Sequence, residues 1–164
     1  MSADFRDTTS LEDILARLGT EPQLTQDELG WGMLLAISRD KLEIVRLLLK
    51  NGADPNHTIA GYDPPLHTAI DDERSSIVIE LLRHGADVNL LNSGGWPPLH
   101  HAIDVEGDSA SQSGGQPVAD CSILLLQHGA DPNLLTPTNK TAWALAKRYH
   151  HHELLHFLER EQRN

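Results

Sequence analysis

The chain has one cysteine and no apolar run long enough to cross a bilayer. A single thiol, Cys121, cannot form an internal disulfide, which excludes the disulfide-rich class of small folds. The opening residues, Met-Ser-Ala-Asp-Phe-Arg, lack the apolar core of a signal peptide. From these absences we expect a cytoplasmic protein with no membrane partner.

Positive charge is missing from a long internal stretch, because no Lys or Arg occurs between Arg83 and Lys140. The same stretch contains the acidic residues Asp87, Asp104, Glu106, Asp108, Asp120 and Asp131. With a net charge of −11, the surface should repel nucleic acid and attract a basic protein. A solvated surface that only maintains solubility explains the pattern equally well, and both interpretations stay open.

Enzyme motifs are scarce, since the chain has no Gly-rich phosphate loop, nucleophile elbow or cysteine-pair zinc motif. One string, His152-Glu-Leu-Leu-His156, matches the His-Glu-x-x-His signature of zinc peptidases. Catalytic zinc needs a third protein ligand, for which only Glu159 or Glu161 follows. We expect no catalytic residue, metal or cofactor, and keep a zinc-dependent hydrolase as an alternative.

A hexapeptide of the form Asn/His-Gly-Ala-Asp-Pro/Val-Asn occurs at residues 51–56, 84–89 and 128–133. The first two copies start 33 residues apart, and the third follows after 44, which is the same period with 11 residues inserted. Such periods indicate stacked repeats. Each copy follows an apolar helical run, and its Gly suits the left-handed position that often ends a helix.

A second repeated element, Pro-Pro-Leu-His, lies at residues 64–67 and 97–100, where Pro is tolerated in a first helical turn. Together the two elements resemble the ankyrin-repeat family, whose pattern is Thr-Pro-Leu-His-x-Ala followed by Gly-Ala-Asp-x-Asn. Pro64 and Pro97 replace the threonine, so its hydrogen bond to the histidine is absent. The resemblance implies an all-α solenoid of stacked helix–turn–helix units with projecting β-turn tips.

The 33-residue frame divides the chain into a capping segment and a repeat domain. Residues 1–24 should form a capping helix and linker, with Ser10 as N-cap and Gly19 as the stop. The repeat domain, 25–164, should hold four repeats, of which the first and last are degenerate: about 25–57, 58–90, 91–134 and 135–161. The third repeat contains the insertion near 107–116, whose small polar residues predict a flexible loop.

The same frame assigns other residues to the interior and the surface. Cys121 falls where other repeats carry Ile44 and Ile77, so a buried apolar role is expected. The family resemblance implies a concave binding face made of turn tips and the exposed side of each first helix. Aromatic residues at two tips are candidate interface anchors, although packing on a neighbouring tip explains them equally well. The expected partner-binding residues are Tyr62, Asp63, Asp71, Asp72, Trp96, Asp104, Arg148 and Tyr149.

Three functions remain as hypotheses. The first is a non-enzymatic module, monomeric when free, that binds and inhibits one basic protein. In size and charge the chain resembles the small ankyrin-type immunity proteins that bacteria encode beside toxins, which implies a toxin or effector as partner. The second hypothesis is a scaffold or adaptor, and the third is the zinc-dependent hydrolase. The identity of the partner is not written in the repeat motif, which only builds the frame.

Overall fold

The computed structural model describes residues 10–20 and 23–161 of the chain. Every regular element within these residues is an α-helix, which confirms the predicted all-α class. In chain order the helices are α1 Leu11–Arg17, α2 Gln26–Ser38, α3 Leu42–Lys50, α4 Pro65–Asp71, α5 Ser75–Arg83, α6 Pro98–Ser113, α7 Asp120–Gln127, α8 Ala142–Arg148 and α9 His152–Glu161.

The chain divides into two compact units, Met1–Ala86 and Asp87–Asn164. In the first unit, α2 packs on α3 and α4, α4 packs on α5, and α1 covers α2. In the second unit, α6 packs on α7 and α8, and α9 packs on α7 and α8. Each unit therefore stacks one helix pair on the next. The repeat boundaries given above stay a prediction.

The first two helices begin at capping boxes. The Ser10 side chain accepts from the Asp13 backbone N–H, and the Thr25 side chain does the same for Glu28. Hydrogen bonds from Ser10 lower the pKa of Asp13, and the Thr25 backbone N–H does most to lower that of Glu28. The carboxylates of Asp13 and Glu28 therefore stay ionised when the pH falls to mildly acidic values. The segment after α1 turns at Gly19, which has φ +76°.

Each helix pair buries one apolar face, as the 3.6-residue period requires. In α3 and α5 the fully buried residues are Val45, Leu48, Ile77, Val78 and Leu81. The same positions of α7 are taken by Ser122 and Leu125, which are also fully buried. The core is therefore built repeat by repeat from equivalent positions.

The insertion in the third repeat is helical, so the predicted flexible loop is wrong for its first part. Helix α6 continues to Ser113 and ends at Gly114, which has φ +71°. The helix persists because Gly107 and Ala110 are buried against the rest of the unit. In addition, the Ser111 hydroxyl donates to the Gly107 carbonyl at 2.8 Å. Only the segment from Gly114 to the start of α7 is irregular.

Side-chain amides connect each repeat to the turn of the next one. Asn89 accepts a hydrogen bond from the Asp131 backbone N–H at 2.9 Å and donates to the Gly129 carbonyl at 3.5 Å. In the same way, the Gln26 side chain accepts a hydrogen bond from the Asp54 backbone N–H and donates one to the Gly52 carbonyl. In the second copy of the hexapeptide, the last Asn thus bridges two repeats.

We predict that Asn89→Ala lowers the free energy of unfolding by about 1 to 2 kcal/mol, because it leaves a backbone N–H and a carbonyl without their partner. The matched control is Asn133→Ala, since Asn133 holds the same motif position but its side chain donates only to its own loop, at Asp131. Urea denaturation of both variants makes the comparison. Equal losses of stability in the two variants would contradict the bridging role.

Candidate functional site

In the first unit, Tyr62 lies in the loop between α3 and α4, just after Gly61 with φ +86°. Its ring meets Trp31 of α2 in an edge-on arrangement, with centroids 5.3 Å apart and ring planes at 66°. Tyr62 nevertheless keeps 44% of its surface exposed. Tyr62 thus packs on a helix rather than on a neighbouring tip, and its role as an interface anchor stays a prediction.

The loop reaches α2 closely because Gly30 has no side chain. A Cβ added to Gly30 would lie 2.9 Å from His57 Cδ2. Beside it, His57 Nε2 contacts Asp27 Oδ1 at 2.6 Å, and Ile59 is buried. These contacts fix the loop on the first half of α2 and place Tyr62 next to Trp31.

Trp31 was not among the predicted site residues. The first repeat lacks the Pro-Leu-His motif, so the frame gave no reason to place a helix before Met33. The capping box formed by Thr25 and Glu28 was the available signal, because it predicts a helix that starts at Gln26 and contains Trp31.

Two of the predicted partner-binding carboxylates, Asp71 and Asp72, lie at the end of α4. Asp71 is exposed, and Asp72 follows as the C-cap. Asp72 Oδ2 is buried and makes no hydrogen bond within the described residues. Glu73 then turns the chain with φ +54°. Asp63 lies between Tyr62 and α4 in the sequence. Unlike Asp71, it is half-buried.

In the second unit, Trp96 is held in a tight loop before α6. Asn92 Oδ1 accepts from the backbone N–H groups of Gly94 and Trp96 at 3.0 and 2.9 Å. Trp96 is half-buried there. Leu91 and Leu135, at equivalent positions of successive tips, are both about half exposed, and sequence reasoning did not single them out.

Asp104 and Tyr149 form a clamp between α6 and the end of α8. The Tyr149 hydroxyl donates to Asp104 Oδ1 at 2.6 Å and lies 3.3 Å from Asp108 Oδ1. Burial, followed by the hydrogen bond to Asp104, raises the pKa of Tyr149 well above its usual value. Arg148 remains exposed, with its guanidinium carbon 5.4 Å from the Tyr149 ring centroid. A role for these residues in partner binding stays a prediction. The hydrogen bond between Tyr149 and Asp104 also joins α8 to α6.

Glu106 joins three helices of the second unit and was missed as a structural residue. One carboxylate oxygen accepts from the backbone N–H groups of Cys121 and Ser122, both at 2.9 Å. The other lies 3.1 Å from Nε2 of the fully buried His151. A carboxylate at the start of α7 is favoured by the helix dipole. Glu106 thus ties α6 to α7 and to the turn before α9.

The zinc-peptidase string lies on α9. His152 and His156 are exposed, whereas Leu154 between them is fully buried. Across the part of the chain that the structure describes, no three His, Cys, Asp or Glu side chains are grouped so that they could hold a metal ion. The string is therefore explained by the core edge of a second repeat helix.

Two family models match the chain. A model of ankyrin repeats in three copies covers residues 33–109, and a model of the single ankyrin repeat covers residues 94–137. The chain belongs to the ankyrin-repeat family. These repeats indicate a protein–protein interaction module with protein partners, in a family whose members are typically not enzymes.

No curated protein matches the chain. Within the described residues, no helix combines the length and the apolar character needed to cross a membrane.

We predict that Gly107→Ala destabilises the protein by about 1 to 3 kcal/mol, since the added methyl group overpacks the clamp. A Cβ at this position would lie 2.3 Å from the Tyr149 ring. The loss should shrink in the double variant Gly107→Ala with Tyr149→Ala, which removes the ring. It should not shrink with Tyr149→Phe, which keeps the ring and removes only the hydroxyl. Thermal unfolding of the three single variants and the two double variants measures this coupling, and strict additivity would contradict the close contact.

We predict that the Cys121 thiol is nearly inert in the folded protein. Cys121 is half-buried rather than fully buried as the sequence predicted, because it lies at the edge of the core face of α7. Partial burial of the thiol, aided by the neighbouring charges of Glu106 and Asp120, raises its pKa to about 12. At pH 8 the reactive thiolate is then about a thousandfold less populated than for an ordinary exposed cysteine. Reaction with a chromogenic disulfide reagent should be slow in buffer and fast in urea. Equal rates would show that the thiol is exposed.

Proposed function

We propose that the chain is a non-enzymatic binding protein that covers and inhibits one basic protein, as an immunity protein does with a toxin. The partner is recognised through turn tips and the exposed ends of the first helices, where the frame leaves residues free to vary. Family membership supports a protein partner. The placement of acidic residues supports its basic character.

The observation that carries this proposal is the run Asp71, Asp72 and Glu73 at the C-terminal end of α4. The carboxyl end of a helix has partial negative charge, so each carboxylate there is disfavoured by about 0.3 to 1 kcal/mol. Glu73 takes the left-handed turn position, with φ +54°, that Asp40 and His150 also take after their helices. Asp71 and Glu73 are exposed, and carboxylates grouped at one helix end can attract a positively charged partner.

The second unit also has a negatively charged surface. Exposed carboxylates occur in the interval without Lys or Arg, at Asp87, Asp108, Asp120 and Asp131. Such a surface increases the rate of encounter with a positively charged protein at low ionic strength. Basic toxins that act on nucleic acid are partners of this kind, and covering their basic surface would block their substrate.

We predict that Asp71→Lys weakens partner binding and changes stability little. The variant should weaken partner binding about tenfold at low ionic strength, which corresponds to ~1.4 kcal/mol. Its melting temperature should change little, because a lysine is favoured at a helix C-terminus and this offsets the loss of the interactions that Asp71 makes. The purified chain serves as bait in a lysate of its source organism, and the captured basic protein is then titrated at several salt concentrations.

The matched control is Glu43→Lys, which reverses an equally exposed charge in the first turn of α3. It should lower stability, because Glu43 lies at a helix start and 2.7 Å from Arg46, yet leave partner binding unchanged. An acidic partner, or equal weakening by both variants, would refute the acidic-surface proposal. If the captured protein keeps its activity in the complex, the scaffold or adaptor alternative is favoured over inhibition.

A further inference from the structure

Asn133 ends the third copy of the hexapeptide, but its side chain does not bridge two repeats. Its Nδ2 donates to Asp131 Oδ1 at 3.1 Å in its own loop, and no donor among the described residues bonds to its Oδ1. Asn133 is exposed, whereas Asn56 and Asn89, at the same position of the first two copies, are half-buried. The third copy therefore presents an acceptor and a second N–H donor to solvent.

The side chains of Gln26, Asn56 and Asn89 all bond to the same kind of backbone turn, in which a helix is followed by Gly-Ala-Asp. In each turn the Gly has a positive φ, between +86° and +89°, and the Ala is at most 9% exposed. The three turns are residues 52–54, 85–87 and 129–131. A side-chain amide of this chain thus recognises a helix-ending turn with a buried small residue.

A groove beside Asn133 has room for one more turn of this kind. It lies between α7, α8 and α9 and has a volume of about 350 Å³, within the range of roughly 300 to 1,000 Å³ that binding pockets have. Its apolar lining comes from Leu126, Pro132, Trp143 and Leu158. In the sequence, α9 is followed by Gln-Arg-Asn, so the last helix pair does not carry the Gly-Ala-Asp of the earlier ones.

We propose that this groove binds a helix-ending Gly-Ala-Asp turn of a partner protein, so that an ankyrin-type repeat of the partner stacks on α8 and α9. Asn133 donates to the Gly carbonyl and accepts from the Asp backbone N–H, as Asn89 does within the chain. The Ala of the partner is buried beside Trp143 and Leu158. This occupant follows from continuity, because the groove extends the interface that joins successive repeats inside the chain.

A second copy of the chain is a poorer occupant of the groove. Each of its own three Gly-Ala-Asp turns is already bonded by a side-chain amide, from Gln26, Asn56 or Asn89. The partner is therefore a different repeat protein, whose outermost turn lacks such a bond. The contact goes beyond the proposed binding of a basic protein and involves other residues than the acidic run of α4, so neither proposal depends on the other.

The test uses a synthetic peptide with the sequence of Ser75–Asn89, which holds one helix and its turn. Its ends are blocked, and a hydrocarbon staple joins positions 75 and 79, because a short isolated helix is marginally stable in water. Binding to the full chain is followed by the indole N–H NMR signals of the tryptophans, assigned with single Trp→Phe variants. The peptide should shift the signal of Trp143, while Trp31 and Trp96 serve as controls within the same molecule.

Two variants of the full chain test the bridging amide. Asn133→Ala should weaken peptide binding about tenfold, because it removes both hydrogen bonds to the turn. Asn139→Gly is the matched control, since Asn139 is an exposed amide of the same unit and Gly accepts its φ of +61°. It should leave peptide binding unchanged. Melting temperatures establish that both variants are folded.

A third variant supplies the turn from the chain itself. Gln162→Gly with Arg163→Ala and Asn164→Asp places Gly-Ala-Asp directly after α9. It should raise the melting temperature and compete with the peptide, and adding Asn133→Ala should cancel most of the rise. The composition-matched control is Gln162→Asp with Arg163→Ala and Asn164→Gly, which lacks Gly at the first position of the turn. It should have neither effect.

The proposal is overturned if the peptide shifts Trp143 no more than Trp96 at millimolar concentration, or if wild type and Asn133→Ala bind it equally. It is also overturned if the chain with Gly-Ala-Asp after α9 binds the peptide as wild type does. Analytical ultracentrifugation of wild type tests the other occupant. Self-association that Asn133→Ala abolishes would assign the groove to a second copy and overturn the proposed partner.

Discussion

The structure depends on a hydrogen-bonding constraint at the ends of the second repeat helices. The last carbonyls of a helix and the amides of the following turn have no partner within the helix. A side-chain amide offers one acceptor and one donor, so Gln26 and Asn89 each satisfy an N–H and a carbonyl of the next turn. Asn56 likewise donates to the Gly85 carbonyl of the next turn. Helix pairs that cannot bury an apolar face alone are thereby held in register with their neighbours.

The amide hydrogen bonds join residues 26 to 42 positions apart, but the turns that they connect are local in sequence, which is why much of the fold is predictable. Gly and Asp of the repeated hexapeptide prescribe the turn, and the equal spacing of the copies prescribes the frame. The bridging role of Gln26 was not predicted, because Gln26 lies inside helix α2 and not at the last position of a hexapeptide. The sequence did not predict the helical insertion because Gly107 and Ala110 belong to a run of small polar residues that is typical of exposed loops. Both residues are buried, and Gly107 lies against Tyr149, far along the chain.

The candidate site was less predictable than the fold, because exposure and internal contacts are properties of the packed molecule. The frame put Tyr62 and Asp71 at accessible positions, and the structure leaves both exposed. It did not reveal that Asp104 is bonded by Tyr149 or that Trp31 lies beside Tyr62. Aspartates therefore differ in what they do: Asp104 forms a hydrogen bond within the fold, whereas Asp71 is exposed where a partner can reach it.

That division limits how each unit can recognise a partner. In the second unit, Asp104 holds Tyr149 and Glu106 holds His151, so altering either side chain for a new partner would also loosen α6. Leu91 and Leu135, at the tips, are about half exposed, so replacing them should disturb the packing less. In the first unit, buried Ile59 and the contact of His57 with Asp27 also hold the loop that carries the half-exposed Tyr62. Specificity can therefore change at tips and helix ends while the amide bridges stay constant, which is how one frame can serve many partners.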